Sequence, residues 1–139
     1  MKKSNVLIVF TFTATVFLLM SFIIPQEQKQ PAPWDIPDEY KNMENPYAGD
    51  KSLDRVGKIL YSKHCKSCHG SNGECDGPKA KQLKTFCGDL TSQEFKAQSD
   101  GVIYYKSFIG RDEMPNFEKK IPEEEDKWAV VNYMRTFEK

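Results

Sequence analysis

The sequence feature that most restricts the possible fold and cofactor of this chain is a run of five residues, Cys65-Lys66-Ser67-Cys68-His69. On a helix the two thiols lie about one turn apart, so each can add to one of the two vinyl groups of a haem. The histidine after the second cysteine is then placed beneath the iron. We therefore predict one covalently bound haem c, with Cys65 and Cys68 forming the thioethers and His69 as the proximal iron ligand. Much of the core would then be the haem itself.

The same cysteines allow three other interpretations. A zinc site could use all four cysteines of the chain, which are Cys65, Cys68, Cys75 and Cys87, because the first pair has zinc-binding spacing. Cys65 and Cys68 alone could form a thioredoxin-like redox pair, although the surrounding sequence lacks the strand–helix–strand pattern of such proteins. They could also form a purely structural disulfide.

An apolar run precedes the rest of the chain. Lys2 and Lys3 are followed by residues 6–24, which are apolar except for threonine and serine, and then by Pro25. This pattern is typical of an export signal or a membrane anchor. We predict that residues 1–25 bring the protein to the periplasmic side of a bacterial inner membrane, as a retained anchor or a cleaved signal. The proline-rich residues 26–50 are predicted to be an extended tether, and residues 51–139 the folded domain.

The chain has 20 basic and 20 acidic residues and no formal net charge, so its composition gives no indication of nucleic-acid binding. The charges are nevertheless unevenly placed. Six lysines surround the haem motif, and acidic residues lie toward the C-terminus: Lys58, Lys63, Lys66, Lys79, Lys81 and Lys84 against Asp112, Glu113, Glu118 and residues 123–126. The lysines form either a basic docking rim for an acidic partner or an ordinary solvated surface.

A second axial ligand has to come from a distant part of the chain. Met114-Pro115 lies 45 residues after His69, where the proline favours a stiff, extended loop. We predict Met114 as the distal iron ligand. Met134 falls within a helical pattern and is predicted to be part of the core, and His64 is predicted to be a surface residue. If Met114 does not bind the iron, the protein would instead be a haem-based gas sensor or a small haem enzyme.

The periodicity of apolar residues predicts an all-α fold of about four short helices with long loops. Ser52 is the predicted cap of the first helix, which runs into the haem motif. Two shorter helices are predicted over residues 91–97 and 100–108. The last helix is predicted to begin near Pro122, with acidic residues in its first turn.

The order of these features resembles the class I, single-domain cytochrome c family over approximately residues 50–138. The matching features are Gly57-x-x-x-Tyr61 before the haem motif, Gly77-Pro78, Asp89-Leu90-Thr91, Gly110-Arg111 before Met114-Pro115, and Trp128-x-x-Val131-x-Tyr133-Met134-Arg135. The resemblance implies a cytochrome c domain at residues 51–139 whose first and last helices cross at Gly57 and Tyr133. It also implies that the carbonyl of Pro78 accepts the imidazole N–H of His69 and so fixes its tautomer.

Cys75 and Cys87 depart from the usual pattern of that family. In an oxidising compartment, two spare thiols separated by a short loop most simply form a disulfide, and we predict this pairing. Free thiols, a redox switch and an intermolecular disulfide are the alternatives.

With His69 and Met114 both on the iron, no coordination position is open to a substrate, and electron transfer remains. We expect a carrier of single electrons rather than an enzyme. Its expected partners are a quinol-oxidising complex upstream and a terminal oxidase or reductase downstream. We expect a monomer or a subunit of a larger complex, held at the membrane by its N-terminal segment.

Overall fold

The structure, a computed structural model, describes residues 28–138, and this part of the chain contains six α-helices and, apart from two isolated bridges, no β-structure. The helices are α1 (Asp38–Lys41), α2 (Asp54–His64), α3 (Lys66–His69), α4 (Gln93–Lys96), α5 (Asp100–Phe108) and α6 (Glu124–Arg135). Short 3-10 turns lie at Lys51–Leu53 and Ala80–Gln82. The all-α fold predicted from the sequence is confirmed.

The centre of the fold is the crossing of α2 and α6. At Gly57 the backbone of α2 lies directly on α6: a Cβ placed there would overlap the carbonyl oxygen of Ala129 and lie 2.9 Å from the Cβ of Tyr133. Only a residue without a side chain allows two helices to approach this closely. Gly57 and Tyr133 are therefore paired at the crossing, as the resemblance implies.

Aromatic residues of α5 and α6 form another part of the core. The ring of Tyr104 lies 5.0 Å from that of Phe108 and 4.7 Å from that of Trp128, measured between centroids. Met134 is 4% exposed and belongs to the same cluster, so its prediction as a core residue is confirmed. Aromatic packing of this kind fixes how α5 and α6 sit on each other.

Serine side chains cap two of the six helices in the described part of the chain, α4 at Ser92 and α5 at Ser99. Ser99 accepts the N–H of Val102 at 3.4 Å, and α5 has the bounds that were predicted for it. The prediction that Ser52 caps the first helix is wrong. Asp50 instead accepts the N–H of Ser52 at 2.9 Å, which begins a 3-10 turn, and α2 starts only at Asp54. An aspartate carboxylate two residues earlier takes the role that the serine was expected to play.

The segment predicted to be an extended tether packs against the domain over residues 28–47, which we call the strap. At its start, the side-chain amide of Gln28 donates to the carbonyls of Ala80 and Leu83 at 2.7 and 2.8 Å. Farther along, Ile36 is only 7% exposed. The prolines do give this segment an extended backbone with few internal hydrogen bonds, but several of its other side chains contact the domain.

The second half of the strap is attached to α5 and α6. The ring of Tyr40 lies 4.7 Å from that of Tyr105. The side-chain amide of Asn45 donates to the carboxylate of Asp100 and to the side chain of Asn132, both at 2.8 Å. The strap therefore runs across the domain and does not hold it at a distance.

None of the helices within residues 28–138 is both long and apolar enough to cross a membrane. The predicted export signal or membrane anchor, residues 1–25, lies outside the described residues.

Candidate haem site

The two cysteines of the haem motif lie one helical turn apart. The N–H of Cys65 donates to the carbonyl of Tyr61 at 2.8 Å, so the turn of α2 continues through Cys65 into α3. The N–H groups of Cys68 and His69 then donate to the carbonyl of Cys65 at 3.1 and 3.0 Å. Neither cysteine is in a disulfide. Two free thiols and an imidazole thus share one turn of helix, which is the local geometry that the sequence predicts.

The surroundings of Cys65 and His69 keep these two side chains uncharged. Cys65 packs against the hydrophobic core, and burial raises the pKa of its thiol to about 12. The Nδ1 atom of His69 is buried and has no hydrogen-bond partner, and burial lowers the pKa of this imidazole to about 4. Neutral imidazole is the form that binds iron. A buried imidazole without a partner, beside two free thiols, fits a covalently bound haem c.

The hydrogen bond between His69 and the carbonyl of Pro78 that the resemblance implies is not formed in this structure, since Nδ1 has no partner. The loop that contains Pro78 contacts the motif through its main chain instead. The N–H of Gly77 donates to the carbonyl of Cys68 at 3.1 Å, and the N–H of Lys79 donates to that of Ser67 at 2.8 Å. A Cβ at Gly77 would lie 2.5 Å from the carbonyl oxygen of Ser67, so this approach requires glycine.

Cys75 and Cys87 form the disulfide that the sequence predicts, with their sulfur atoms 1.94 Å apart. The N–H of Cys75 also donates to the carbonyl of His69 at 2.9 Å, so the disulfide holds the loop that follows the motif. The zinc interpretation is not supported, because two of its four thiols are bonded to each other. Nor does the described part of the chain contain any group of three or more His, Cys, Asp or Glu side chains that could hold a metal ion.

Met114 lies at the end of a tight turn. The N–H of Arg111 donates to the carbonyl of Met114 at 2.9 Å, and the N–H of Met114 donates back to the carbonyl of Arg111 at 2.8 Å. Three residues on, the N–H of Phe117 donates to the carbonyl of Phe108 at 2.8 Å and attaches the loop to α5. Met114 is half-buried and packs against the same hydrophobic core as Cys65. The haem motif and the predicted distal ligand therefore lie against the same hydrophobic core.

His64, predicted to be a surface residue, is only partly exposed. Its ring lies 5.8 Å from that of Phe117, and its Nε2 atom is buried without a hydrogen-bond partner. Burial lowers the pKa of this imidazole. The loop after Met114 brings Phe117 against the His64 ring. The periodicity of the α2 sequence carries no information about the path of that loop, so this contact could not be predicted from it.

The contacts of Arg111 with the strap were also not foreseen. Its guanidinium lies over the ring of Trp34, with 4.1 Å between Cζ and the ring centroid, and donates to the carbonyls of Ala32 and Pro33. A tryptophan within a proline-rich segment is the signal that could have pointed to a docked segment, because a free tether gains nothing from a large aromatic side chain.

Comparison with known proteins adds one finding. The protein-family model described as cytochrome c oxidase, cbb3-type, subunit III, matches residues 53–134, which is more than half of the chain. The matched range contains the haem motif, the disulfide and the Met114 turn. No curated protein matches the chain.

Proposed function

Because the chain belongs to the family of cytochrome c oxidase, cbb3-type, subunit III, we propose that it is an electron carrier with a single covalently bound haem c, and not an enzyme. A cytochrome c domain supports a role in haem-based electron transfer. The observation that carries the proposal is the turn of helix with two free thiols and a buried, neutral imidazole without a partner. When bound there, the haem supplies a one-electron couple at its iron.

Each residue of the site has a separate role in this proposal. Cys65 and Cys68 hold the macrocycle covalently, so the cofactor does not exchange. His69, through its neutral imidazole, and Met114, through its thioether, would be the protein ligands of the iron. A thioether favours ferrous iron and raises the reduction potential. With both ligands supplied by the protein, the iron would offer a substrate no open position, and electron transfer would remain.

We also propose that the protein works at the periplasmic side of a bacterial inner membrane, between a quinol-oxidising complex and a terminal oxidase or reductase. The contacts of the strap limit the distance between the folded domain and the membrane. Gln28 already contacts the domain, so only residues 25–27 separate it from the apolar run 6–24. Three residues span at most about 10 Å. With a retained anchor, the domain is held close to the membrane, which favours a subunit of a respiratory complex over a freely swinging carrier.

We expect the six lysines around the motif to act as a docking surface, because all six are exposed: Lys58, Lys63, Lys66, Lys79, Lys81 and Lys84. The rate of electron transfer to an acidic redox protein, measured by stopped-flow absorbance, should fall about tenfold or more as salt rises from low to physiological ionic strength. Replacing Lys81 and Lys84 with glutamate should lower the low-salt rate. The exposed Lys96, on α4, is the control position, and Lys96→Glu should change the rate little. A rate that ignores salt would contradict the docking role.

The experiment that tests the proposed function is Met114→Ala in the haem-loaded protein. We expect a six-coordinate, low-spin spectrum before the substitution and a five-coordinate or water-bound iron after it, with the haem retained. The reduction potential should fall by on the order of 0.1 V or more, within the roughly 0.8 V range that axial ligands cover. Absorption spectra and a redox titration measure both effects.

The buried Met134 provides the matched control, because Met134→Leu conserves volume in the core and should leave the spectrum unchanged. An unaltered spectrum in Met114→Ala would show that Met114 is not the ligand. Ready binding of carbon monoxide by the unsubstituted protein would instead favour the gas sensor or haem enzyme.

A further inference from the structure

One side chain connects the strap to the turn that contains Met114. The guanidinium of Arg111 donates to the carbonyl of Pro33 at 2.7 Å and to that of Ala32, and it lies 4.1 Å from the ring centroid of Trp34. These contacts use the planar fork and the flat cationic face of arginine, which lysine cannot reproduce. The Arg111 side chain is only 27% exposed, so these contacts are partly shielded from solvent.

The backbone of the same residue forms the turn. Arg111 and Met114 exchange both of their main-chain hydrogen bonds, at 2.9 and 2.8 Å. Within this short segment Gly110 has φ +70° and Asp112 has φ +50°. A positive φ is less favourable for a residue with a side chain than for glycine, so contacts around Asp112 help to keep it in this conformation. The turn therefore depends on its attachments.

A second attachment lies on the other side of the turn. The carboxylate of Glu113 accepts the N–H groups of Lys84 and Thr85 at 3.0 Å. The strap pairs with this same segment: the N–H of Lys29 donates to the carbonyl of Lys84 at 3.1 Å, and the N–H of Phe86 donates to the carbonyl of Lys29 at 2.9 Å. The strap thus reaches the turn directly through Arg111 and indirectly through Glu113.

We propose that the strap is a brace that holds the Met114 turn closed, and that Trp34 and Arg111 are positioning residues for the distal iron ligand. This inference rests on the proposed role of Met114. A closed turn would keep Met114 available as the iron ligand, whereas an open turn would leave that position to another ligand. The brace acts on the turn and leaves the attachment of haem at Cys65 and Cys68 untouched.

The test is Trp34→Ala in the full-length, haem-loaded protein. Imidazole added to the ferric protein competes with Met114, so its apparent Kd depends on the fraction of molecules with an open turn. We expect this Kd to fall about tenfold. Exchange of the amide protons of Arg111 and Met114, followed by NMR, should accelerate by a similar factor. Arg111→Lys keeps the charge but loses the forked hydrogen bonds and the flat cationic face, so it should shift both readouts in the same direction, and it serves as the test if Trp34→Ala does not accumulate.

The matched control is Asn45→Ala. Asn45 belongs to the same strap, but it is bonded to Asp100 and Asn132 and not to the turn. We expect Asn45→Ala to lower thermal stability without changing the Kd for imidazole. The inference is overturned if Trp34→Ala leaves both readouts unchanged, or if Asn45→Ala shifts them equally. If the unsubstituted protein shows no methionine coordination, the proposed function fails, and amide exchange still decides whether the strap braces the turn.

Discussion

A chain with both Cys65→Ala and Cys68→Ala is expected to lose roughly all of its covalently bound haem when it is produced in a host that matures c-type cytochromes. The reason is local: these are the two free thiols of the described chain, and they share one helical turn with His69. Without them nothing bonds to the vinyl groups, although a buried imidazole is still present. Haem staining after denaturing electrophoresis and the alkaline pyridine spectrum measure the loss.

The other two cysteines provide a matched control with the same number of thiols removed. Cys75→Ser with Cys87→Ser should retain haem, because these residues are bonded to each other. The cost should appear in stability, as a loss of about 2–3 kcal/mol in the free energy of unfolding, measured with denaturant. Haem retained equally in the two double variants would contradict the assignment of the thioethers, and colourless unsubstituted protein from the same host would remove the haem proposal altogether.

The parts of the site that were predictable are those set by neighbours in the sequence. The spacing of Cys65, Cys68 and His69 places them on one helical turn whatever the rest of the chain does. The start of α5 was also predictable, because Ser99 caps a helix that begins one residue later. In both cases the interactions that fix the structure lie within four residues, so the sequence alone contains them.

The parts that were not predictable depend on contacts between distant residues. Proline content indicated the extended backbone of the strap, but the ring of Trp34 contacts Tyr105, Lys106 and Arg111, and Arg111 is 77 positions away. The burial of His64 likewise depends on Phe117, in a loop whose path follows from the packing of α5. Composition and periodicity indicate the conformation that a segment prefers by itself. The contacts of Trp34 and His64 depend instead on tertiary packing against distant parts of the chain.

The same distinction explains the outcome for Gly57. Gly57 weakens an isolated helix by about 1 kcal/mol relative to alanine, so helix propensity alone would favour Gly57→Ala. The structure predicts the opposite. A Cβ at this position would lie 2.7 Å from the carbonyl carbon of Ala129 and 2.9 Å from the Cβ of Tyr133, so α6 would have to move. Because α2 continues into the haem motif, we expect Gly57→Ala to lower the free energy of unfolding by about 3 kcal/mol or more.

Gly49→Ala separates this steric effect from a general cost of replacing glycine. Gly49 has φ +76°, and nothing lies within 4 Å of a Cβ placed there, so only backbone strain of about 1–2 kcal/mol is expected. Denaturant unfolding of both haem-loaded variants gives the comparison. A loss at Gly57 no larger than at Gly49 would mean that α2 and α6 can separate at little cost. The helix that leads into Cys65 would then be held by the haem and not by the crossing.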